Sequence, residues 1–357
     1  MAKPGRRWDV FCRVVDNYGD AAVCWRLARQ LATEHDACVR LWIDRPEVLQ
    51  ALMPAMQDGG VDVRPWTSPL YFGEAAEIAI DAFGDGLPDD YARALAPGAL
   101  WIKLEYLSAE DWVASHHGLP SPHPTLPVRR FFFFPGFDAA TGGLLRERDL
   151  LTRRDAFVPA TLWRAIGGGP QAGATAVSLF GYENPAVPAL LDACASGPTP
   201  IWVAVTDSRI RPQVEACMAG ALERGALRVA YLPFLPQDRY DELLWACDWN
   251  FVRGEDSFVR AQWAAKPLCW QIYPQAEDAH RPKLEAFLAR YGAAPDTPLA
   301  RLWRAWNGFG GDLGTAWREA DAARPALATL ARRWADAQAR LPDLATALAE
   351  FCESRLK

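Results

Sequence analysis

The sequence predicts an α/β protein built from two tandem arrays of parallel strands and helices, on three observations. Short apolar runs alternate with amphipathic segments from residue 8 to about residue 273, the order that gives parallel sheets with helices on both faces. The alternation breaks once, at Gly167-Gly168-Gly169-Pro170 through Gly173, a composition that interrupts regular structure and marks a domain boundary. The chain has 357 residues, 50% of them hydrophobic, which suits two domains of ordinary size better than one. The expected domains are therefore residues 1–168 and 174–335.

In chain order, residues 8–15 read as a buried strand, and Val23, Leu27 and Leu31 then recur at helical spacing with Cys24 and Ala28 beside them. Between strand and helix stands Asp16-Asn17-Tyr18-Gly19-Asp20. Asn17 and Gly19 tolerate a left-handed backbone, and Asp20 stands where a helix N-cap would stand. Residues 37–43 form the next strand, Pro46 opens a short helix, and residues 79–83 and 99–107 continue the strands around a helix at 89–95. Residues 115–127 carry four prolines and three histidines and are expected to be a long loop. The aromatic run 131–134 is expected to be a buried strand. Beyond the boundary come strands at 176–182, 201–206, 227–234, 250–252 and 268–273. The helices between them are expected at 187–194, 211–223, 239–247 and 256–265. From residue 282 the chain is rich in Ala, Leu and Arg and reads as several helices, the last near 341–356 and able to pack on either domain.

Charge and cysteine usage narrow the function. Lys and Arg number 38 against 44 Asp and Glu, a net charge of −6 with no long run of either sign, so nucleic-acid binding through a basic face is not expected. The eight cysteines, at 12, 24, 38, 194, 217, 247, 269 and 352, form no CxxC pair, as in a reduced cytoplasmic protein without a disulfide framework or zinc site. His116, His117 and His123 have no acidic or cysteine partner at ligand spacing, so no metal site is expected. No segment reads as a signal peptide or a membrane span.

Two strand-to-helix junctions carry the candidate chemistry. Asp16 and Asp20 place two carboxylates at the carboxyl end of the first strand, where open α/β sheets bind ligands. Capping by Asp20 and strand termination by Asp16 would explain the same residues without chemistry. In the second half, Arg253-Gly254-Glu255-Asp256-Ser257 again joins a strand to a helix. Its amides and the positive end of the helix suit an anionic group such as a pyrophosphate, Arg253 adds a cation, and Gly254 permits close approach. Glu255 and Asp256 would also be ordinary first-turn residues favoured by the helix dipole. Phe234 and Tyr240 could stack on a base or simply pack in the core.

Four stretches in order, Phe11-Cys12-Arg13-Val14-Val15-Asp16-Asn17-Tyr18-Gly19-Asp20, Trp25-Arg26-Leu27-Ala28-Arg29-Gln30-Leu31, Arg253-Gly254-Glu255-Asp256-Ser257 and Trp270-Gln271-Ile272-Tyr273-Pro274-Gln275, resemble the bacterial protein-arginine rhamnosyltransferases that modify elongation factor P. The likeness runs from about residue 8 to the C-terminal helices. The resemblance implies a GT-B fold, two Rossmann-like domains facing each other across a cleft with the C-terminal helix 341–357 returning to the first. It further implies an inverting, metal-independent glycosyltransferase. The implied donor is TDP-β-L-rhamnose, no cofactor is required, and the acceptor is an arginine of elongation factor P. Carried over by position, Asp20 matches the family's general base, Asp16 the second acid of that turn, and Glu255 the essential glutamate. Asn17, Tyr18, Gly19, Tyr182, Phe234, Arg253, Gly254, Asp256, Ser257, Gln271, Ile272, Tyr273, Pro274 and Gln275 fall on donor-binding positions. One departure is Ala21-Ala22 after Asp20, where relatives carry a bulkier Ile-Gly; it removes no carboxylate.

Two other classes share features with this reading. A nicotinamide-dependent oxidoreductase would show G-x-G-x-x-G at a strand-helix junction, and neither junction carries it. A nucleotide-sugar epimerase of the same two-domain shape would bind the donor without a protein acceptor.

Overall fold

The apolar run that opens the chain becomes a central strand because Val10, Phe11 and Cys12 have no exposed face left. The computed structural model describes residues 5–15, 18–53, 59–84 and 86–356. In the first unit the strands are β1 (Arg7–Cys12), β2 (Cys38–Ile43), β3 (Val61–Pro65), β4 (Ile78–Ala82), β5 (Leu100–Leu104) and β6 (Arg129–Phe133). They lie in the order β3-β2-β1-β4-β5-β6, with every pairing parallel. The chain leaves β1 toward β2 and β3 and resumes on its other side at β4, so the order reverses beside β1. That reversal is a topological switch point.

The second unit repeats the plan with β7 (Thr175–Leu179), β8 (Ile201–Val205), β9 (Glu223–Arg224), β10 (Leu227–Tyr231), β11 (Trp249–Arg253) and β12 (Leu268–Gln271). Their order is β12-β11-β7-β8-β10-β9. All pairings are parallel except the short antiparallel edge between β10 and β9. Here the order reverses between β7 and β11.

Several sequence expectations shift. The expected domain end at residue 168 moves back, because the units divide after Leu150. The helix Pro159–Ala165 buries Leu162 among Ala176, Trp202, Leu243 and Cys247, so it is part of the second core and the glycine-rich stretch is only a surface connection within that unit. The second unit runs through Ala337, and residues 338–357 belong to the first. β3 was not anticipated, its alternation being short and half-exposed. The helix expected at 211–223 stops at Met218, where Ala219 turns left-handed at φ 48°. The expected loop 115–127 begins inside a short helix, Trp112–His116, and Pro120 bridges antiparallel to Phe131.

Buried polar ties fix elements that apolar packing alone would let slide. In the first unit Asp9 is fully buried in β1 and takes a bidentate hydrogen bond from Arg40 at 2.6 and 2.6 Å, together with the Tyr91 hydroxyl. On the helix Gly19–Glu34, Arg26 pairs with Glu147 at 3.2 Å, and Gln30 donates to the Arg146 carbonyl and to Asp343 Oδ1, each at 2.8 Å. In the second unit Arg260, on the helix Asp256–Trp263, reaches Asp241, on the helix Gln237–Ala246, with bonds of 3.0 and 2.6 Å; both side chains are 1% exposed.

Removing one partner of such a pair leaves a buried charge uncompensated. Asp241→Ala is therefore expected to lower unfolding free energy by about 3–5 kcal/mol in urea titrations; a change within the ordinary surface range would show that the pair is not what holds these helices together.

Candidate active site

In the first unit β1 ends at Cys12, beside the switch point, and the chain passes through residues 13–15 toward the acidic turn. Asp16 and Asn17 lie outside the described residues. Tyr18 is the N-cap of the helix and Gly19 its first residue, and Ala22 N donates to the Tyr18 carbonyl at 2.9 Å. Asp20 is therefore within the first turn and is not the cap expected from sequence; the helix starts two residues earlier. The residue is 4% exposed, and its Oδ2 accepts the Val15 amide at 2.8 Å. It reaches back across the turn from within the first turn of the helix.

The second unit builds a denser constellation at its switch point. Arg253 is the last residue of β11, and its neighbour β7 leads into Phe180 and Tyr182. The guanidinium lies over the rings of Phe180 and Tyr182, 4.8 and 4.7 Å from their centroids, and donates to the Tyr182 hydroxyl at 3.3 Å. Cation–π contact on two rings presets the orientation of a long, otherwise mobile side chain. Tyr182 N in turn donates to Gln271 Oε1 at 2.9 Å, and Gln271 Nε2 to the Glu183 carbonyl at 3.3 Å. One side chain at the end of β12 thus holds the loop that follows β7.

The turn after Arg253 is closed by its own residues. Gly254 has φ 63°, a left-handed conformation that glycine adopts without penalty. Its carbonyl accepts Trp270 Nε1 at 2.8 Å, and Trp270 stacks on Phe258 at 4.0 Å. Ser257 Oγ accepts the Arg253 amide at 3.2 Å and donates to the Arg253 carbonyl. Glu255 occupies the N-cap position of the helix Asp256–Trp263 but does not cap it with its side chain. Glu255 and Asp256 are both half-buried at the positive end of that helix.

The donor-position segment after β12 is held at both ends. Ile272 N donates to Asn307 Oδ1 at 3.0 Å, Asn307 Nδ2 donates to the Trp270 carbonyl at 2.8 Å, and Gln275 N donates to His280 Nδ1 at 3.1 Å. Tyr273 is exposed and meets Tyr182 edge-on at 5.5 Å, while Pro274 and Gln275 are exposed. Phe234 is half-buried between β10 and the helix Gln237–Ala246. Tyr240 packs with the second core and lies edge-on to Phe180, and burial pushes its phenol above the ordinary range. Phe180, Asn307 and His280 carry no local motif and were missed; the spacing Phe-Gly-Tyr could have pointed to Phe180, whereas Asn307 is 35 residues from the segment it holds.

The three histidines of the 115–127 stretch go to separate local contacts. His116 Nδ1 bonds the Trp112 carbonyl, His117 Nδ1 meets the Phe134 backbone, and His123 Nδ1 accepts the Leu126 amide. Among the described residues no group of three or more His, Cys, Asp or Glu is arranged to hold a metal ion, and no helix is long and apolar enough to cross a membrane.

Two parallel-stranded sheets, each with a strand-to-helix junction at its switch point, fit the GT-B glycosyltransferase architecture. The same architecture is found in a solved UDP-glucosyltransferase from Polygonum tinctorium at 10% identity and TM-score 0.58, with 99% of each chain covered. More specifically, residues 8–353 match the family described as Elongation-Factor P (EF-P) rhamnosyltransferase EarP, and the chain belongs to that family. The protein-arginine rhamnosyltransferase of Pseudomonas putida is 47% identical over 375 residues, covering 98% of this chain and 99% of the relative. A solved structure described as the structural basis for EarP-mediated arginine glycosylation of translation elongation factor EF-P is 38% identical, with TM-score 0.70 and coverage of 98% and 99% of the two chains.

Because the Asn307 side chain supplies partners to both Ile272 N and the Trp270 carbonyl, Asn307→Ala is expected to cost about 1–3 kcal/mol, the scale for orphaned buried groups. Hydrogen-exchange mass spectrometry should localise the loosening to residues 270–275; exchange unchanged there would contradict the holding role.

Proposed function

We propose that this protein moves L-rhamnose from TDP-β-L-rhamnose to one arginine side chain of elongation factor P, with inversion at the anomeric carbon and without a metal ion. The observation that carries the donor half of the reading is the Arg253–Ser257 junction: a buried cation preset on two rings, a glycine turn, and a helix N-terminus together suit a diphosphate. The acceptor half is supported by membership in the family and by the description of the related structure, which concerns arginine glycosylation of EF-P. A translation factor as acceptor places the reaction in the cytoplasm.

The chemistry follows from the acceptor. A guanidinium is delocalised and protonated near neutral pH, so its nitrogen attacks poorly until its charge is localised and a proton is removed. Asp20 holds and polarises it by charge-assisted hydrogen bonds, with Asp16 as the second acid of that turn. As the nitrogen–C1 bond forms on the face opposite the diphosphate, the C1–oxygen bond breaks, the guanidinium proton passes to Asp20, and TDP departs. Arg253 and the amides of residues 254–257 offset the negative charge that grows on the leaving group. Glu255, beside that site, orients the sugar or the acceptor. Tyr18, Gly19, Tyr182, Phe234 and the segment 271–275 complete the donor contacts.

Incubation with purified elongation factor P and TDP-β-L-rhamnose should add one deoxyhexose to the acceptor by mass spectrometry; donor binding or conversion without acceptor mass gain would favour the epimerase reading. Arg253→Ala is expected to weaken TDP binding by about 1.5–3 kcal/mol in calorimetry, the scale of a charged hydrogen bond. Asp20→Asn preserves an oxygen to accept the Val15 amide, so its melting temperature should stay near that of the parent. Its single-turnover transfer should fall by about 10²- to 10⁴-fold, the usual loss for a general base. Near-normal transfer would reject Asp20 as the base and turn attention to Asp16.

A further inference from the structure

The backbone entering the acidic turn is held residue by residue. The Arg13 guanidinium lies 5.0 Å from the Trp66 ring centroid, and Trp66 N is itself bonded to the Ile43 carbonyl at the end of β2 at 2.8 Å. Val14 N donates to Asp44 Oδ1 at 3.0 Å, and the Val14 carbonyl accepts from an Arg45 terminal nitrogen. Val15 N donates to Asp20 Oδ2 at 2.8 Å. Asp44 and Arg45 are the two residues that immediately follow β2, the strand beside β1 in the sheet.

We infer that Asp44 and Arg45 are positioning residues for the transfer reaction: one side chain holds each end of the Val14 peptide, and so they fix the direction in which the chain enters the turn bearing Asp16 and Asp20. The inference rests on the function proposed above. Three features favour it over a role in the core or on the substrate. Asp44 is exposed and Arg45 half-buried, so neither fills the interior. Each directs its polar head at the Val14 backbone. The Val14 side chain is buried, at 5% exposure, whereas Val15, next along, is 64% exposed, so apolar packing anchors the chain as far as Val14 and the hydrogen bonds of Asp44 and Arg45 add direction to the backbone where that packing ends. A misdirected turn would displace Asp20, whose Oδ2 is bound to the adjacent amide, and displacements of about 1 Å in a reacting constellation cost on the order of 10²-fold in rate.

Charge and geometry separate in the choice of substitution. Asparagine at 44 keeps an oxygen that accepts the Val14 amide but has no charge for a guanidinium; alanine removes both. The experiment compares Asp44→Ala, Asp44→Asn and Arg45→Ala in the full chain by three readouts: single-turnover transfer to elongation factor P, TDP affinity, and amide exchange over residues 8–20. Expected for Asp44→Ala and Arg45→Ala are transfer slower by about ten- to a hundredfold, TDP affinity unchanged, and exchange at the Val14–Val15 amides faster by about two- to tenfold, the equilibrium worth of one hydrogen bond. Asp44→Asn should lie close to the parent in all three. Asp44→Asn as slow as Asp44→Ala in transfer would overturn the inference, because the carboxylate charge would then be needed by the substrate. Unchanged exchange in both alanine variants would overturn it as well. If the parent itself fails to modify elongation factor P, the function proposed above falls, while the exchange comparison still decides whether Asp44 and Arg45 order the turn.

Discussion

Crossovers between parallel strands leave one place in each of the two sheets where the chain departs in opposite directions, and that constraint locates both candidate junctions of this protein. In the first unit the reversal lies between β1 and β4, and the acidic turn leaves β1 there. In the second it lies between β7 and β11, and Tyr182 and Arg253 leave from those two strands. Helices that diverge at such a point leave their amino ends and the intervening loops unobstructed. The acidic turn on one unit and the Arg253–Ser257 turn on the other are thus the same topological solution used twice with different side chains.

Neither junction would hold its geometry on apolar packing alone. The helix that begins at Asp256 is tied to the helix Gln237–Ala246 by the Arg260–Asp241 fork, and the turn at Gly254 is pinned from β12 by the Trp270 indole. On the first unit Asp9, Arg40 and Tyr91 fix β1 to β2 from within. Buried ion pairs of this kind contribute little net stability compared with well-packed apolar residues, but losing one partner is costly. Their effect here is to fix which turn of which helix faces the sheet edge. The apolar core sets the layers, and the polar ties set the angular detail that a reacting group needs.

Much of this was legible in the sequence because the informative signals are local. The strand, turn and helix at 8–34 and the junction at 249–263 each carry periodicity and turn chemistry within one short window. What was not legible depends on distant partners. Asp20 has the residue type and place of a cap, and only the position of Tyr18 and the reach to Val15 show that it lies inside the helix. Asn307 looks like a helix-ending residue, and its role in holding Ile272 exists only once the last strand is in place. The glycine-rich stretch at 167–173 has every mark of a linker, but Leu162 before it is buried in the second core, so composition pointed to a flexible connection and burial to a different boundary. β3 escaped notice because an edge strand with half-exposed faces has little apolar signal to offer.

The return of residues 338–357 to the first unit has a consequence for the birth of the protein on the ribosome. Gln30 is bonded to Asp343, 313 positions away, so the helix that follows β1 lacks one of its own anchors until almost the whole chain has been made. At synthesis rates of about 5–20 residues per second, that wait is roughly 15–60 s. The second unit, being a continuous stretch from Leu151 to Ala337, has all its strands before its neighbour is finished. The nascent chain thus carries a completed second unit while the first still lacks its closing helix, and the acidic turn after β1 gains its last support late although it is synthesised early.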